Sequence, residues 1–248
     1  DVGRFDHLSF SPKYWANSGL EGAPSEGALR AVTRAGATAF VMRRNDWSYT
    51  CNFDVDGYNV GFHAEYSPVE AGGRPNGHNY GFNFTDCATG ILISESSGSG
   101  IMFTRVNTTG CDVGIHSRGG IGPVQFLGCN IQGRTSVCTD ISAGVGLIFQ
   151  ECNVSGPADI MGAQFTSVNC TYDSEVIVGP TARTIFTGNT FTGNGHLTNR
   201  SVYRCQYSDT PVPAKPLPEY KAEWMEIKQT RPARAALYVE GGACRTCL

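Results

Sequence analysis

Two carboxylates stand two residues apart in Phe53-Asp54-Val55-Asp56, separated and preceded by apolar residues. Alternation of period two reads as a strand, so Asp54 and Asp56 point to the same side, about 6 to 7 Å apart by strand rise. Carboxyl groups so spaced suit cleavage of a glycosidic bond, one as acid and the other as base or nucleophile. Asp46, Glu65 and Glu95 widen that set. A second chemistry is also open. His63 and His116 are candidate bases, and Arg43, Arg44 and Arg118 are candidate cations to neutralise a uronate during elimination. Tyr14, Trp15 and Trp47 offer flat faces on which sugar rings stack. The plainer alternatives are a solvated strand face for the carboxylates, hydrogen-bonded histidines, and aromatics that pack an excursion onto the fold.

The elements that position these residues follow from internal repetition. Val124-Gln125-Phe126-Leu127-Gly128-Cys129-Asn130-Ile131, Leu147-Ile148-Phe149-Gln150-Glu151-Cys152-Asn153-Val154, Ala163-Gln164-Phe165-Thr166-Ser167-Val168-Asn169-Cys170 and Thr184-Ile185-Phe186-Thr187-Gly188-Asn189-Thr190-Phe191 align, with a looser copy from Ile101. Each carries Phe at its third position, then a small or thiol residue, then Asn or Thr. A repeat of roughly twenty residues holding short strands buries no core until its neighbours stack on it. The fold expected is therefore all-β, a right-handed parallel β-helix. Asn130, Asn153 and Asn169 are expected to form one ladder at a turn, bonding to backbone. A β-sandwich is the competing reading.

Upstream, Asn59-Val60-Gly61-Phe62-His63-Ala64-Glu65, Ala88-Thr89-Gly90-Ile91-Leu92-Ile93-Ser94 and Asp112-Val113-Gly114-Ile115-His116-Ser117-Arg118 align on glycine. Stacked, they place Phe62, Ile91 and Ile115 on one rung. His63, Leu92 and His116 then share the opposite face with Glu65, Ser94 and Arg118. The two histidines come out about 10 Å apart with Leu92 between.

Composition agrees. Of 248 residues, only 17% are charged and 31 are glycine, which favours short strands and tight turns over amphipathic helices. The net charge of -3 carries no basic stripe, so nucleic acid is not expected as a partner. No apolar run approaches membrane-spanning length, so no membrane partner is expected either. Ten cysteines sit mostly singly in apolar runs; only Cys244-Arg245-Thr246-Cys247 has knuckle spacing, and it lacks a second pair. Stacked core thiols are expected for most of them, with no metal and no cofactor. Residues 14–36 read as an excursion holding a short helix from Ser25 through Arg34, capped by Ser25 and closed by Gly36. Coils are expected over 1–208, a Pro-rich linker or draped arm over 209–233, and a further strand, cut short, over 234–248. The chain opens directly in strand-like sequence and reads as a piece of something longer. Five sequons begin at Asn83, Asn107, Asn153, Asn169 and Asn199.

The opening Asp1-Val2-Gly3-Arg4-Phe5-Asp6-His7-Leu8-Ser9-Phe10-Ser11-Pro12-Lys13-Tyr14-Trp15 resembles the glycosyl hydrolase family 28-related proteins of the pectate lyase superfamily. So do Arg44-Asn45-Asp46-Trp47 and Gly57-Tyr58-Asn59-Val60-Gly61-Phe62. The likeness covers about the first hundred residues by motif. It implies a right-handed β-helix and a carbohydrate setting. The upstream Gly-Asp-Gly segment of that family and the Asp pairs and Gly-His-Gly of polygalacturonases are not in this sequence, so no catalytic residue carries over.

The expected catalytic residues are thus Asp54, Asp56, Glu65, His63 and His116, and the expected substrate-binding residues Arg44, Asp46, Trp47, Arg118 and Trp15. The function expected is polysaccharide cleavage by a secreted, extracellular enzyme, hydrolase ahead of lyase. The alternative is a non-catalytic shaft, such as a fibre, adhesin or tailspike, that binds glycans. A homo-oligomer, or association with the rest of a larger parent chain, is the further expectation.

Overall fold

Inward-facing aromatic residues, one coil above the next, set the geometry. A computed structural model describes residues 3–69, 72–203, 205–209 and the backbone of 238–239. In it Phe103 stacks on Phe126 with ring centroids 5.0 Å apart, Phe126 lies 4.9 Å from Phe149, and Phe149 lies 5.2 Å from Phe165. Rings at this spacing add to the burial of their area. The strands that carry them hydrogen-bond in parallel, each to the strand one coil away, and the described chain is a parallel β-helix.

The prism has three faces. The first stacks Arg4–Phe10, Ser48–Asp56, Gly77–Thr85, Ile101–Thr104, Val124–Leu127, Gly146–Gln150, Gln164–Val168, Arg183–Thr187 and Gln206–Ser208. The first three of these bend round a corner into the second face, which continues through Asn107–Ser117, Asn130–Thr139, Asn153–Ser155, Thr171–Tyr172 and Thr190–Phe191. The third face holds Thr38–Met42, Val60–Ala64, Thr89–Ile93, the later halves of Asn107–Ser117 and Asn130–Thr139, then Ala158–Ile160, Glu175–Val178, His196–Asn199 and Tyr238–Val239.

The first corner is turned by one left-handed residue in every coil. His7, Asn52, Gly81, Arg105, Gly128, Glu151, Asn169, Gly188 and Asp209 all have φ between 49° and 68°. Gly, Asn, Asp and His enter that region most cheaply. Arg105 and Glu151 are held there because every coil must turn at the same height.

A second corner depends on glycine, as the alignment of Gly61, Gly90 and Gly114 anticipates. A Cβ on Gly90 would lie 2.7 Å from the Gly114 carbonyl oxygen, and one on Gly114 would lie 2.6 Å from that of Ser136. Only a residue without a side chain lets successive coils approach so closely.

Two expectations are corrected. The copy beginning at Ala163 pairs two residues out of the sequence alignment: Phe165 lies against Leu147, and Ser167 against Phe149. A slip of two keeps every side chain on its face, so the alternation survives while the rung changes. Buried Ser167 then shares hydrogen bonds with Tyr172 (2.7 Å) and Asn189 (2.8 Å), which occupy the space a Phe would fill. For the same reason Asn169 is not in the asparagine ladder; it is the left-handed corner residue, and Thr171 stands beside Asn153. The ladder is Asn83, Asn107, Asn130 and Asn153, each Nδ2 donating to the Oδ1 of the coil before at 2.9 Å. Its bonds run side chain to side chain rather than to backbone.

The eight described cysteines are free thiols, and Cys129, Cys152 and Cys170 stack in one inward column. Contact with its neighbour Cys129 is the main reason the Cys152 thiol is pushed up to about 12. Cys244 and Cys247 lie outside the described residues, as does nearly all of 209–248.

The excursion folds into α1 (Pro12–Ala16), which sequence periodicity missed, and α2 (Glu26–Gly36). Ser25 Oγ accepts from Ala28 N at 3.3 Å, the cap expected of it.

Candidate functional site

The second face and the two helices enclose the carboxylate pair. A cleft of ≈ 370 Å³ is lined by Ser9, Ser11, Lys13, Tyr14, Asp54, Asp56 and Asn83, among others. Strand alternation puts Asp54 and Asp56 outward beside one another, with Phe53 and Val55 buried. Tyr14 comes from α1 and is fixed by a 2.7 Å hydrogen bond between its hydroxyl and Ser9. Ser9 is directly in register with Asp54 one coil away.

The two carboxylates are held differently. Asp54 Oδ1 accepts from Asn83 Nδ2 at 2.9 Å, so the asparagine ladder ends on it. Asp56 is gripped from α2: Arg30 donates to both its oxygens at 2.7 Å, and Ser11 Oγ donates at 3.0 Å. The Arg30 guanidinium holds the Asp56 carboxyl below the usual carboxylate range. Arg30 continues to Asp86 at 3.0 Å, and Arg34 bonds Asp86 and Asp112, the latter at 2.9 Å. Helix α2 thus clamps three successive coils through two arginines one turn apart. That clamp was invisible in sequence, because Arg30 lies far in the chain from every partner but Glu26.

No family model, curated protein or solved structure matches this chain. Its chemistry must therefore be read from its own residues.

The third face carries the histidine rung in the register expected. His63 pairs with Leu92, and Leu92 with His116. His63 Nδ1 lies 3.3 Å from Glu65 Oε2, and its Nε2 lies 2.8 Å from Ser94 Oγ. Arg43 Nε donates to the other Glu65 oxygen at 2.7 Å. Burial lowers the His63 pKa, more than Glu65 raises it, and the charges of Arg118 and Arg43 push it the same way as burial. His116 instead pairs through Nε2 with Asp140 Oδ1 at 2.8 Å. Arg118 is exposed and stands in register with Ser94, its N–H donating to the Ile93 carbonyl at 2.7 Å.

The remaining candidates are dispersed. Arg44 and Asp46 line a separate ≈ 460 Å³ cavity against Phe5, Phe40 and Met42. Trp47 lies on the first face, 42% exposed, with its ring 5.3 Å from His78. Tyr49 is 5.8 Å from the same imidazole. Trp15 is 56% exposed on α1. Glu95 is ion-paired to Arg74 at 2.8 Å. The structure therefore unites Asp54 with Asp56, and His63 with Glu65, but places these pairs on different faces. Among the described residues no cluster of His, Cys, Asp and Glu is arranged to hold a metal ion, and no helix is long and apolar enough to cross a membrane. Sequence reading passed over Ser94 and Asp140 as partners of the histidines. Ser94 was placed on the right rung by the glycine alignment; its contact with His63 depends on rotamers.

Proposed function

We propose that the protein is a polysaccharide-cleaving enzyme, a glycoside hydrolase working in the second-face cleft. One observation carries the reading: Asp54, Asp56 and Tyr14 line a single cleft. Its volume falls within the range of about 300–1,000 Å³ of small-molecule sites. A plain shaft would present a smooth polar surface there, as the asparagine ladder does further along the same face. In this reading Asp56, kept ionised by Arg30, is the fixed anion facing the oxocarbenium-like charge of the transition state. Asp54, more exposed, is the carboxyl placed to serve as the acid. Their separation of about 6 to 7 Å by strand rise suits paired work on one bond. The resemblance of the opening segment to the glycosyl hydrolase family 28-related proteins adds the carbohydrate setting, and with it an extracellular one.

The test is a polysaccharide panel read by reducing ends and by absorbance of unsaturated uronate ends. Reducing ends without unsaturation support hydrolysis. Unsaturated ends would make the protein a lyase and move cleavage to His63 and His116. Silence across the panel would leave a glycan-binding shaft.

A further inference from the structure

We propose that Ser94, His63 and Glu65 form a nucleophile, base and orienting acid for hydrolysis of small acyl esters, with acetyl esters on a polysaccharide as the substrate class. The site is distinct from the glycosidase cleft; only the choice of a polysaccharide as carrier rests on that earlier reading.

The argument is geometric. Three residues from two neighbouring coils meet in order: Ser94 Oγ at 2.8 Å from His63 Nε2, and His63 Nδ1 at 3.3 Å from Glu65 Oε2. The Glu65 carboxyl at ion-pair distance from Nδ1 favours the ring proton on that side, which leaves the Nε2 lone pair facing the serine hydroxyl. That is the tautomer a base needs in order to take the Ser94 proton. Burial, aided by the nearby arginines, keeps the imidazole neutral near pH 7. Glu65 is itself anchored by Arg43, which fixes the ring it orients. The same rung supplies a contrast: His116 spends its Nε2 on Asp140 and faces no hydroxyl.

The reaction balances with water as the sole co-reactant. Ser94 Oγ attacks the ester carbonyl carbon while His63 Nε2 takes its proton. The tetrahedral oxyanion forms beside Arg118, one coil from Ser94 and about 4.8 Å along the axis. The carbon–alkoxide bond then breaks, and His63 returns the proton to the leaving sugar hydroxyl. Water, deprotonated by His63, attacks the acyl-serine; the acyl–Oγ bond breaks, His63 returns that proton to Ser94 Oγ, and the carboxylic acid leaves. A small acyl group is implied because His63 and Glu65 keep only 18% and 25% of their side-chain surface in solvent, which leaves little room beside the serine. The half-buried trio lies on the outward side of the third face, along which an extended polymer can lie.

The experiment uses the whole chain with p-nitrophenyl acetate and a fluorophosphonate probe. The expected result is acetate release with a single adduct on Ser94 by peptide mass spectrometry. Ser94→Ala should lower the rate at least a hundredfold with an unchanged melting temperature. The wild-type rate should rise with pH through an inflection below 6.5, as His63 loses its proton. Glu65→Gln, a positioning change, should slow the reaction and move that inflection lower still, because Glu65 alone among the nearby charges raises the His63 pKa. Acetate release that survives Ser94→Ala, or an adduct on any other residue, would overturn the proposal. So would the absence of both release and adduct between pH 5 and 9; wild-type labelling decides the matter if the alanine variant does not fold. The ester readout does not involve Asp54 or Asp56, so it stands or falls apart from glycan cleavage.

Discussion

The early and late coils share one core and differ in what they present to solvent. Inside, Phe53 and Phe82 in the early coils stack 4.8 Å apart, much as Phe126 and Phe149 do later. Outside, the early coils set out Asp54, Asp56, His63, Glu65, Trp47 and Tyr49, whereas corresponding rows in the late coils hold Thr171, Thr190, Ile177 and Ile185. In these rows the late coils turn β-branched, neutral residues outward, while charges such as Glu175 and His196 pair with each other at 3.2 Å. The repeat makes the scaffold, and the chemistry proposed above sits at one end of it.

If the core is common property, breaking it in the middle must cost both ends. Phe126 is 1% exposed between Phe103 and Phe149. Phe126→Ala should destabilise the protein by about 3–5 kcal/mol. Chemical unfolding followed by circular dichroism and by the fluorescence of Trp47 should show both signals shifting together. A Trp47 transition that stays in place would show that the early coils fold without the late ones.

If the chemistry belongs to the early end, Asp54→Asn should act on rate and not on fold. Removing a group that transfers a proton typically costs about 10²–10⁴-fold. The outward position of Asp54 and its single amide contact leave the melting temperature unchanged. A variant that melts early yet cleaves at the normal rate would reverse the assignment.

How much of this was legible in the residues divides along the same line. The inward pattern was readable because a coil stack repeats the same packing problem: Phe62, Ile91 and Ile115 fell on one rung, as did His63, Leu92 and His116. It failed at Ser167, where a two-residue slip preserves the hydrophobic alternation and so leaves no trace in it. The left-handed corner was hidden because His7, Asn52, Arg105 and Glu151 share a backbone angle and no side-chain chemistry. The outward contacts were the least legible. Arg30 meeting Asp56 and Asp86, and Arg34 meeting Asp86 and Asp112, depends on where an excursion lands, and no periodicity encodes that.

That landing has a pH signature. The folded pKa of Asp56 is depressed by Arg30, so its contribution to stability is fully present above about 3.8, the unfolded value. It is lost as pH falls below 3.8 towards the lower folded value. Urea midpoints of wild type and Asp56→Asn should therefore be well separated at pH 7 and converge between pH 4 and 2. A separation that persists at pH 2 would mean the helices are held by packing and not by the clamp. Screening limits the size of the effect, since Asp56 keeps 25% of its side-chain surface in solvent.

The smallest effect tests whether the two ends communicate. The amide ladder runs from Asn153 in the late coils to Asp54 in the cleft, every donor pointing towards the carboxylate. Asn83→Ala and Asn130→Ala each remove comparable hydrogen bonds and should each cost about 0.5–1.5 kcal/mol. Only Asn83 touches Asp54, so only Asn83→Ala should also slow glycan cleavage. The two variants thus match in melting temperature and part in rate. If Asn130→Ala slowed cleavage equally, the aligned amides would be polarising one another along the stack. The late coils would then belong to the site as well as to the scaffold.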